Sequence, residues 1–99
     1  KFKMTVDIDS LIDFNERGIF YAKFIRPFQK TRKNKFDHTG NSVNLSPLVS
    51  RFKNSKFEYM INASYNDIKK GALNNYSEVF LYKKDRLTDR KIGECILPL

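Results

Sequence analysis

Residues 77–99 form the stretch SEVFLYKKDRLTDRKIGECILPL, which has the clearest strand pattern in the chain. Its first six residues, 77–82, place apolar side chains alternately on two faces, which is the period of a β-strand. Residues 83–91 are a charged run, and apolar residues return in 92–99. The stretch therefore predicts two strands joined by a charged loop.

Outward from this stretch, three more segments have the composition and spacing of strands. They are residues 2–8, 19–26 and 56–63. Pro27 is expected to end the second of them, because proline cannot donate to the hydrogen bonds of a sheet. Five or six short strands without a long helix are typical of an all-β domain, and we expect an antiparallel β-sandwich or barrel.

The intervals between these segments are predicted to be turns and loops. Residues 10–18 and 30–44 are polar and rich in turn-forming residues, with a strand possible at the base of the second interval. Pro47 argues against a central strand around it. Residues 67–70 predict one helical turn that ends at Gly71, since glycine adopts the left-handed conformation that follows a helix.

Composition limits the class of protein and of partner. The chain has 99 residues and a net charge of +8, so one basic domain with an anionic partner is expected. Its first residue is not methionine, and we expect a fragment of a longer protein. One cysteine allows no internal disulfide, and neither a signal pattern nor a long apolar run is visible, so we expect a cytoplasmic location, peripheral to a membrane.

The order of residues in VFLYKKDRLTDRKIGE, residues 79–94, followed by Leu97-Pro98-Leu99, resembles C2 domains. In that family a hydrophobic strand leads into an acidic loop, then into Ile-Gly and a strand that ends near Pro-Leu. Tyr21 and Lys23 match the family's Tyr-Val-Lys pattern upstream, whereas its Asn-Pro-x-Trp motif is missing. The resemblance implies a C2-like sandwich, similar to the amino-terminal C2 variant of trafficking and cytoskeletal scaffolds. An unrelated β-sandwich is the alternative.

The resemblance also implies where calcium ligands would stand. Asp13, Asp85 and Asp89 match such positions, whereas Lys83 and Ile19 stand where the family has carboxylates. Calcium needs six to eight oxygen ligands, and a cation at a ligand position repels it. We therefore expect no metal ion and no cofactor, with the remaining acids paired to neighbouring cations or forming turns.

Basic residues in the middle of the chain are the first candidates for binding. The principal set is Lys30, Arg32, Lys33 and Lys35, and the second set is Arg51, Lys53 and Lys56. Many C2 domains carry a lysine-rich strand in this region that meets acidic lipid head groups, and each such cation contributes about 1 kcal/mol near an anionic leaflet. A solvated loop that only keeps the domain soluble is the alternative.

Two other kinds of partner remain possible. Phe28, Phe36 and Phe52 interleave with these cations, and aromatic stacking beside a basic groove is how single-stranded nucleic acid is held. Exposed aromatic strands at residues 19–24 or 57–59 are instead candidates for an interface with a partner protein. The leading hypothesis is a calcium-independent module that binds acidic phospholipid or a protein, with no small-molecule substrate.

No enzyme is predicted. His38 lies in a polar interval and Cys95 in an apolar strand, where we expect a buried core thiol. No third group that would orient them is identifiable, and glycine-rich phosphate loops and zinc spacings are missing from the sequence. Glu58, Glu78 and Glu94 are expected to point outward from strands rather than to form an acid–base pair.

Overall fold

The computed structural model describes residues 2–11, 14–29, 35–44, 50–71, 73 and 75–98. Most of these residues lie in β-strands that pair antiparallel. The elements are β1 (Phe2–Asp7), β2 (Ser10–Leu11), β3 (Gly18–Ile25), β4 (Phe36–His38), β5 (Ser42–Asn44), β6 (Ser50–Arg51), β7 (Lys56–Ile61), α1 (Tyr65–Lys69), β8 (Tyr76–Lys83) and β9 (Arg90–Pro98). The described part of the chain is therefore all-β, as the alternating segments predicted. Its helix is too short to cross a bilayer.

The larger layer is a five-stranded sheet built around β3. One edge of β3 pairs with β8, so that Phe20 lies opposite Lys83 and Phe24 opposite Val79. The other edge pairs with β4 and β5, which follow one another along it. β9 lies on the far side of β8. The strands predicted at 19–26, 77–82 and 92–99 are thus confirmed, and they are neighbours in the same sheet.

Thr39 joins β4 to β5 along the edge of β3. Its N–H donates to the carbonyl of Ala22 at 2.8 Å, and its Oγ1 accepts from the N–H of Ala22 at 2.9 Å. Gly40 then donates to the carbonyl of Lys53 at 2.6 Å, and a Cβ on Gly40 would lie 2.8 Å from that oxygen. The approach therefore requires glycine. The interval 30–44, predicted as a loop with a strand possible at its base, thus contains strands at 36–38 and 42–44.

The smaller layer is a two-part ribbon in which β1 pairs with β7, and β2 with β6. The N–H of Ile8 donates to the carbonyl of Ser55 at 3.0 Å, and the N–H of Phe52 donates to the carbonyl of Asp9 at 2.8 Å. These bonds join the two parts into one antiparallel ribbon. The strands predicted at 2–8 and 56–63 are confirmed, but β2 lies where a loop was predicted.

The ribbon covers one face of the sheet, which we call the inner face. Phe20, Ala22 and Phe24 alternate along β3 and are 0%, 2% and 0% exposed. Phe20 and Ala22 form the core cluster with Phe52 from the ribbon, and the ring of Phe24 meets that of Phe57 at 5.0 Å. The prediction that strand 19–24 is exposed is therefore wrong for its phenylalanines, since burial of these rings holds the layers together.

The helical turn is present where the sequence predicted it. Ser64 caps α1, because its Oγ accepts from the N–H of Asp67 at 3.2 Å, and its own N–H donates to the Asp67 carboxylate at 3.2 Å. The reciprocal pair satisfies two backbone N–H groups at the start of the helix. The hydrogen bonds from Ser64 also lower the pKa of the Asp67 carboxyl. Gly71 follows with a φ of 71°, the conformation that ends the helix.

Cys95 is exposed, which corrects the prediction of a buried core thiol. It lies opposite Val79 in the pairing of β8 with β9. An alternating apolar strand is buried only where a second layer covers it, and β9 is the last strand of the sheet. Alternation therefore predicted the strand correctly but not its burial.

Candidate interaction face of the sheet

The face of the sheet that points away from the ribbon carries the candidate site, and we call it the outer face. Because Phe20, Ala22 and Phe24 point inward from β3, the residues between them, Tyr21 and Lys23, point outward. The pairing brings further side chains beside them on this face: Phe36 and His38 from β4, Phe80 and Tyr82 from β8, and Lys91 from β9. Aromatic and basic residues, remote in sequence, thus share one surface.

The rings on the outer face contact one another across the strands. Tyr21 and Tyr82 are stacked, with centroids 5.4 Å apart and planes 7° from parallel. His38 meets Tyr21 edge-on at 6.1 Å, and Phe36 lies 6.4 Å from Phe80. Such cross-strand pairs stabilise a sheet and leave part of each ring at the surface. Phe36 is 41% exposed.

Three lysines lie over these rings. Lys23 Nζ is 4.7 Å from the centroid of Phe36, Lys91 Nζ is 5.2 Å from that of Phe80, and Lys84 Nζ is 5.9 Å from that of Tyr21. An ammonium within about 6 Å of a ring face is attracted by the ring quadrupole. The rings therefore hold Lys23, Lys84 and Lys91 on the outer face, where Lys91 is also paired with Glu94, whose Oε2 lies 3.4 Å from its Nζ.

A cleft of about 430 Å³ lies at one end of the outer face. Its lining includes side chains with N–H, O–H and ammonium donors, namely Tyr21, Lys23, His38, Thr39, Asn41 and Lys84. The one carboxylate in the lining, Asp89, accepts a hydrogen bond from the Tyr21 hydroxyl at 2.7 Å. The cleft is thus suited to an anionic group, with Asp89 opposing it.

The Tyr21 hydroxyl is expected to ionise at a higher pH than an ordinary tyrosine. Burial, and then the hydrogen bond to Asp89, raise the pKa of Tyr21 to about 12. Since the folded state favours the neutral phenol, this contribution to stability is present below the ordinary tyrosine pKa of about 10 and is lost as the pH rises from there to about 12. Difference absorbance at alkaline pH measures the ionisation. In Asp89→Asn the pKa should fall but stay above 10, and an unchanged pKa would contradict the Tyr21–Asp89 bond.

Cations engage two carboxylates at this end of the sheet, Glu16 and Asp85. Lys83 Nζ donates to Glu16 Oε1 at 2.9 Å, and this hydrogen bond is the main reason that the pKa of Glu16 is lowered. Arg90 lies 3.5 Å from the same carboxylate and 3.9 Å from Asp85. Asp13 lies outside the described residues. Within the described ranges, no three His, Cys, Asp or Glu side chains are grouped to hold a metal ion.

The predicted basic residues are only partly visible. Lys30, Arg32 and Lys33 lie outside the described residues. Lys35 is exposed, and its backbone N–H donates to Gln29 Oε1 at 3.0 Å. The second set lies in or beside the ribbon rather than on the outer face: Arg51, Lys53 and Lys56. The described members of the two sets therefore do not form the outer face.

Arg51 illustrates why a basic residue is not by itself a binding residue. Its Nη1 lies 2.7 Å from the Asp9 carboxylate, and both side chains are more than half exposed. Pairs of this kind contribute little to stability, but they neutralise the charge that a ligand would meet. Lys53 and Lys56 are exposed.

The aromatic residues proposed for nucleic-acid stacking divide between core and surface. Phe52 is 7% exposed and belongs to the core, and Phe28 packs edge-on against Phe2 at 5.8 Å. Phe36 alone of the three lies on the outer face. The rings that sequence reasoning missed, Phe80 and Tyr82, were visible as the second face of the strand at residues 77–82.

No protein-family model, curated protein or solved structure matches this chain at a significant level. The C2 resemblance of residues 79–99 therefore stays a prediction.

Proposed function

We propose that this chain is a calcium-independent, C2-like module that attaches a larger protein to acidic phospholipid, and that it does so through the outer face. The observation that carries the proposal is the placement of Lys23, Lys84 and Lys91 on aromatic rings of one sheet surface. A membrane interface favours this combination, because the ammonium groups meet lipid phosphates and the rings lie at head-group depth. A cytoplasmic, peripheral location follows from the same proposal.

Electrostatics decides how strong such attachment is. Each lysine near an anionic leaflet contributes about 1 kcal/mol, so three contribute at most about 3 kcal/mol, since Lys91 is paired with Glu94 at 3.4 Å, and this gain is screened within a Debye length. Lys35 and the stretch beside it would add to this attraction if they face the same leaflet. Binding should therefore be reversible and sensitive to salt.

Independence from calcium is supported by the loop at the end of the sheet. Lys83 occupies a position where the C2 resemblance implies a ligand, and its ammonium is bound to Glu16 at 2.9 Å. Asp85 and Asp89 are engaged by Arg90 and Tyr21. A calcium ion would have to break these contacts and meet the neighbouring cations.

Sedimentation with vesicles tests the proposal. We expect the chain to sediment with phosphatidylcholine vesicles that contain phosphatidylserine, equally in calcium and in chelator, and to be released by added salt. Vesicles of phosphatidylcholine alone are the control. No sedimentation with the acidic vesicles, or sedimentation only in calcium, would overturn the proposal.

A second candidate function is favoured by the stacked pair of Tyr21 and Tyr82. These two rings are half-buried beside lysines, and rings in such a setting also hold the bases of single-stranded nucleic acid, each stacked base contributing about 1–3 kcal/mol. Fluorescence anisotropy with a labelled single-stranded oligonucleotide separates the candidates. Tight binding to the oligonucleotide, with none to acidic vesicles, would select nucleic acid.

A further inference from the structure

The outer edge of β9 is open. No strand in the described part of the chain pairs with it, because β9 ends the sheet. Residues 94–98 are all exposed, with Ile96 at 68% and Leu97 at 40%. Proteins usually protect such edges with lysine, a bulge or a covering loop. Glu94 and Pro98 protect only the two ends of residues 94–98, so the apolar residues between them remain open to another strand.

An apolar groove lies beside this edge on the inner face. It has a volume of about 270 Å³, and its walls include Leu11 and Phe52 from the ribbon side and Val79, Leu81 and Cys95 from the sheet. The edge and the groove are two separate features that favour the same occupant. An extended strand would complete the backbone pairing of β9 and would also shield Cys95 and Leu97.

We infer that this strand is β9 of a second copy of the chain, paired antiparallel about a twofold axis through Ile96. In this register Ile96 faces its own equivalent, Cys95 faces Leu97 of the second copy, and Glu94 faces Pro98. Ile96, Cys95 and Leu97 thus face apolar residues, the one mixed pair is Glu94 with Pro98 at the ends of the segment, and no like charges are opposed.

Neighbouring registers are less favourable. An axis through Cys95 would place Glu94 opposite the apolar side chain of Ile96. An axis through Glu94 would place two carboxylates opposite each other, which destabilises an antiparallel pair. The register through Ile96 therefore keeps Glu94 farther from the centre of the pair than either of these two registers does.

Charge sets the salt dependence of this dimer. Each copy has a net charge of +8, but the cations lie outside the segment 94–98, so repulsion between the copies acts over a distance and is screened by salt. Dimerisation should strengthen as salt is added. Binding to acidic vesicles should weaken under the same change, so the two equilibria can be separated.

The symmetry gives the dimer a consequence for binding. A twofold axis perpendicular to the sheet leaves both outer faces on the same side, so that both sets of lysines meet one surface. This consequence rests on the proposed function. Attachment through two linked faces is tighter than through one, commonly by about 10²–10⁴-fold where the geometry allows both to bind.

Analytical ultracentrifugation without vesicles tests the pairing. We expect a species of twice the 11.7 kDa chain mass as the protein concentration rises. Ile96→Glu should raise the dissociation constant at least about tenfold, because it removes the central apolar pair and sets two carboxylates opposite each other. Leu87→Glu adds the same charge on a side chain that is 97% exposed in the loop, and it should leave the dimer unchanged.

Cross-linking tests the register. Facing residues in an antiparallel pair have Cα atoms about 4.5–5.5 Å apart, which a disulfide can span. The variant C95S/I96C should therefore form a reducible dimer on oxidation, whereas C95S/L97C should not, because residue 97 faces residue 95. Equal cross-linking of both variants would overturn the register.

The outcomes separate this inference from the proposed function. A chain that stays monomeric at all concentrations, or a dimer that Ile96→Glu leaves intact, would overturn the pairing. Neither result bears on vesicle binding. A dimer of the expected register that does not bind acidic vesicles would instead overturn the proposed function.

Discussion

Replacing Phe20 by alanine should lower the free energy of unfolding by about 3–5 kcal/mol. Phe20 is 0% exposed. Its ring meets that of Phe14 at 5.0 Å and packs with Ala22 and Phe52 in the core cluster. The cavity would close poorly, because strands pair with β3 on both of its edges. Urea denaturation followed by circular dichroism measures the loss.

Phe36→Ala is the matched control. It removes the same ring from the outer face, where Phe36 is 41% exposed, so we expect a loss of about 1 kcal/mol or less. A domain of this size has about 5–15 kcal/mol of stability in total, and Phe20→Leu gives a milder test if Phe20→Ala lacks a folded baseline. Equal losses at the two positions would contradict the assignment of inner and outer faces.

The long strands other than β9 were predictable because each turns one side toward the core. Residues 2–8, 56–63 and 77–82 alternate, and residues 19–26 place Phe20 and Phe24 inward. The physical cause is the same in each case. Successive side chains of a strand point alternately toward the core and toward solvent, so apolar residues recur at every second position.

The short strands were not predictable from periodicity. β4 and β5 have three residues each, which is less than two full periods. Their position depends on Thr39, whose side chain accepts the hydrogen bond of Ala22 in place of a backbone carbonyl. A threonine in a polar interval is compatible with a turn or with a strand. On either side of Thr39 a strand is formed because β3 lies close enough to exchange hydrogen bonds with this residue.

The candidate site was missed for a related reason. The sequence shows only which charged residues are close together along the chain. It therefore favoured one basic run as the binding site: Lys30, Arg32, Lys33 and Lys35. Lys23 and Lys84 are neighbours only because β3 pairs with β8. Tyr21 and Lys23 were noticed through the C2 resemblance, but their partners on β8 and β9 required the register of the sheet.

Removing the three outer-face lysines should weaken binding to acidic vesicles by about 100-fold. The change is Lys23→Gln, Lys84→Gln and Lys91→Gln in one variant, which keeps most of each side chain over its ring. At about 1 kcal/mol for each cation, the loss is about 3 kcal/mol, or about 100-fold in the dissociation constant. Vesicle sedimentation at low salt measures it, and thermal unfolding checks that the fold is retained.

Two variants with the same change in net charge are the controls. One replaces Lys30, Arg32 and Lys33 by glutamine, and the other replaces Arg51, Lys53 and Lys56. Each lowers the net charge of +8 by three. If attraction depended on net charge alone, all three variants would lose affinity equally, because unlocalised charge acts through the field of the whole protein.

The ranking of the three variants therefore locates the binding surface. The outer-face variant should lose the most, and the ribbon variant the least, since Arg51 is already paired with Asp9 at 2.7 Å and the ribbon lies on the opposite layer. A larger loss from the variant at residues 30–33 would move the surface to the basic stretch and contradict the outer face. Raising the salt should reduce the difference in vesicle affinity among the three variants, because salt screens the attraction of every lysine and arginine to the acidic lipid. The aromatic rings are the same in all three variants, so their contribution to binding does not change this comparison.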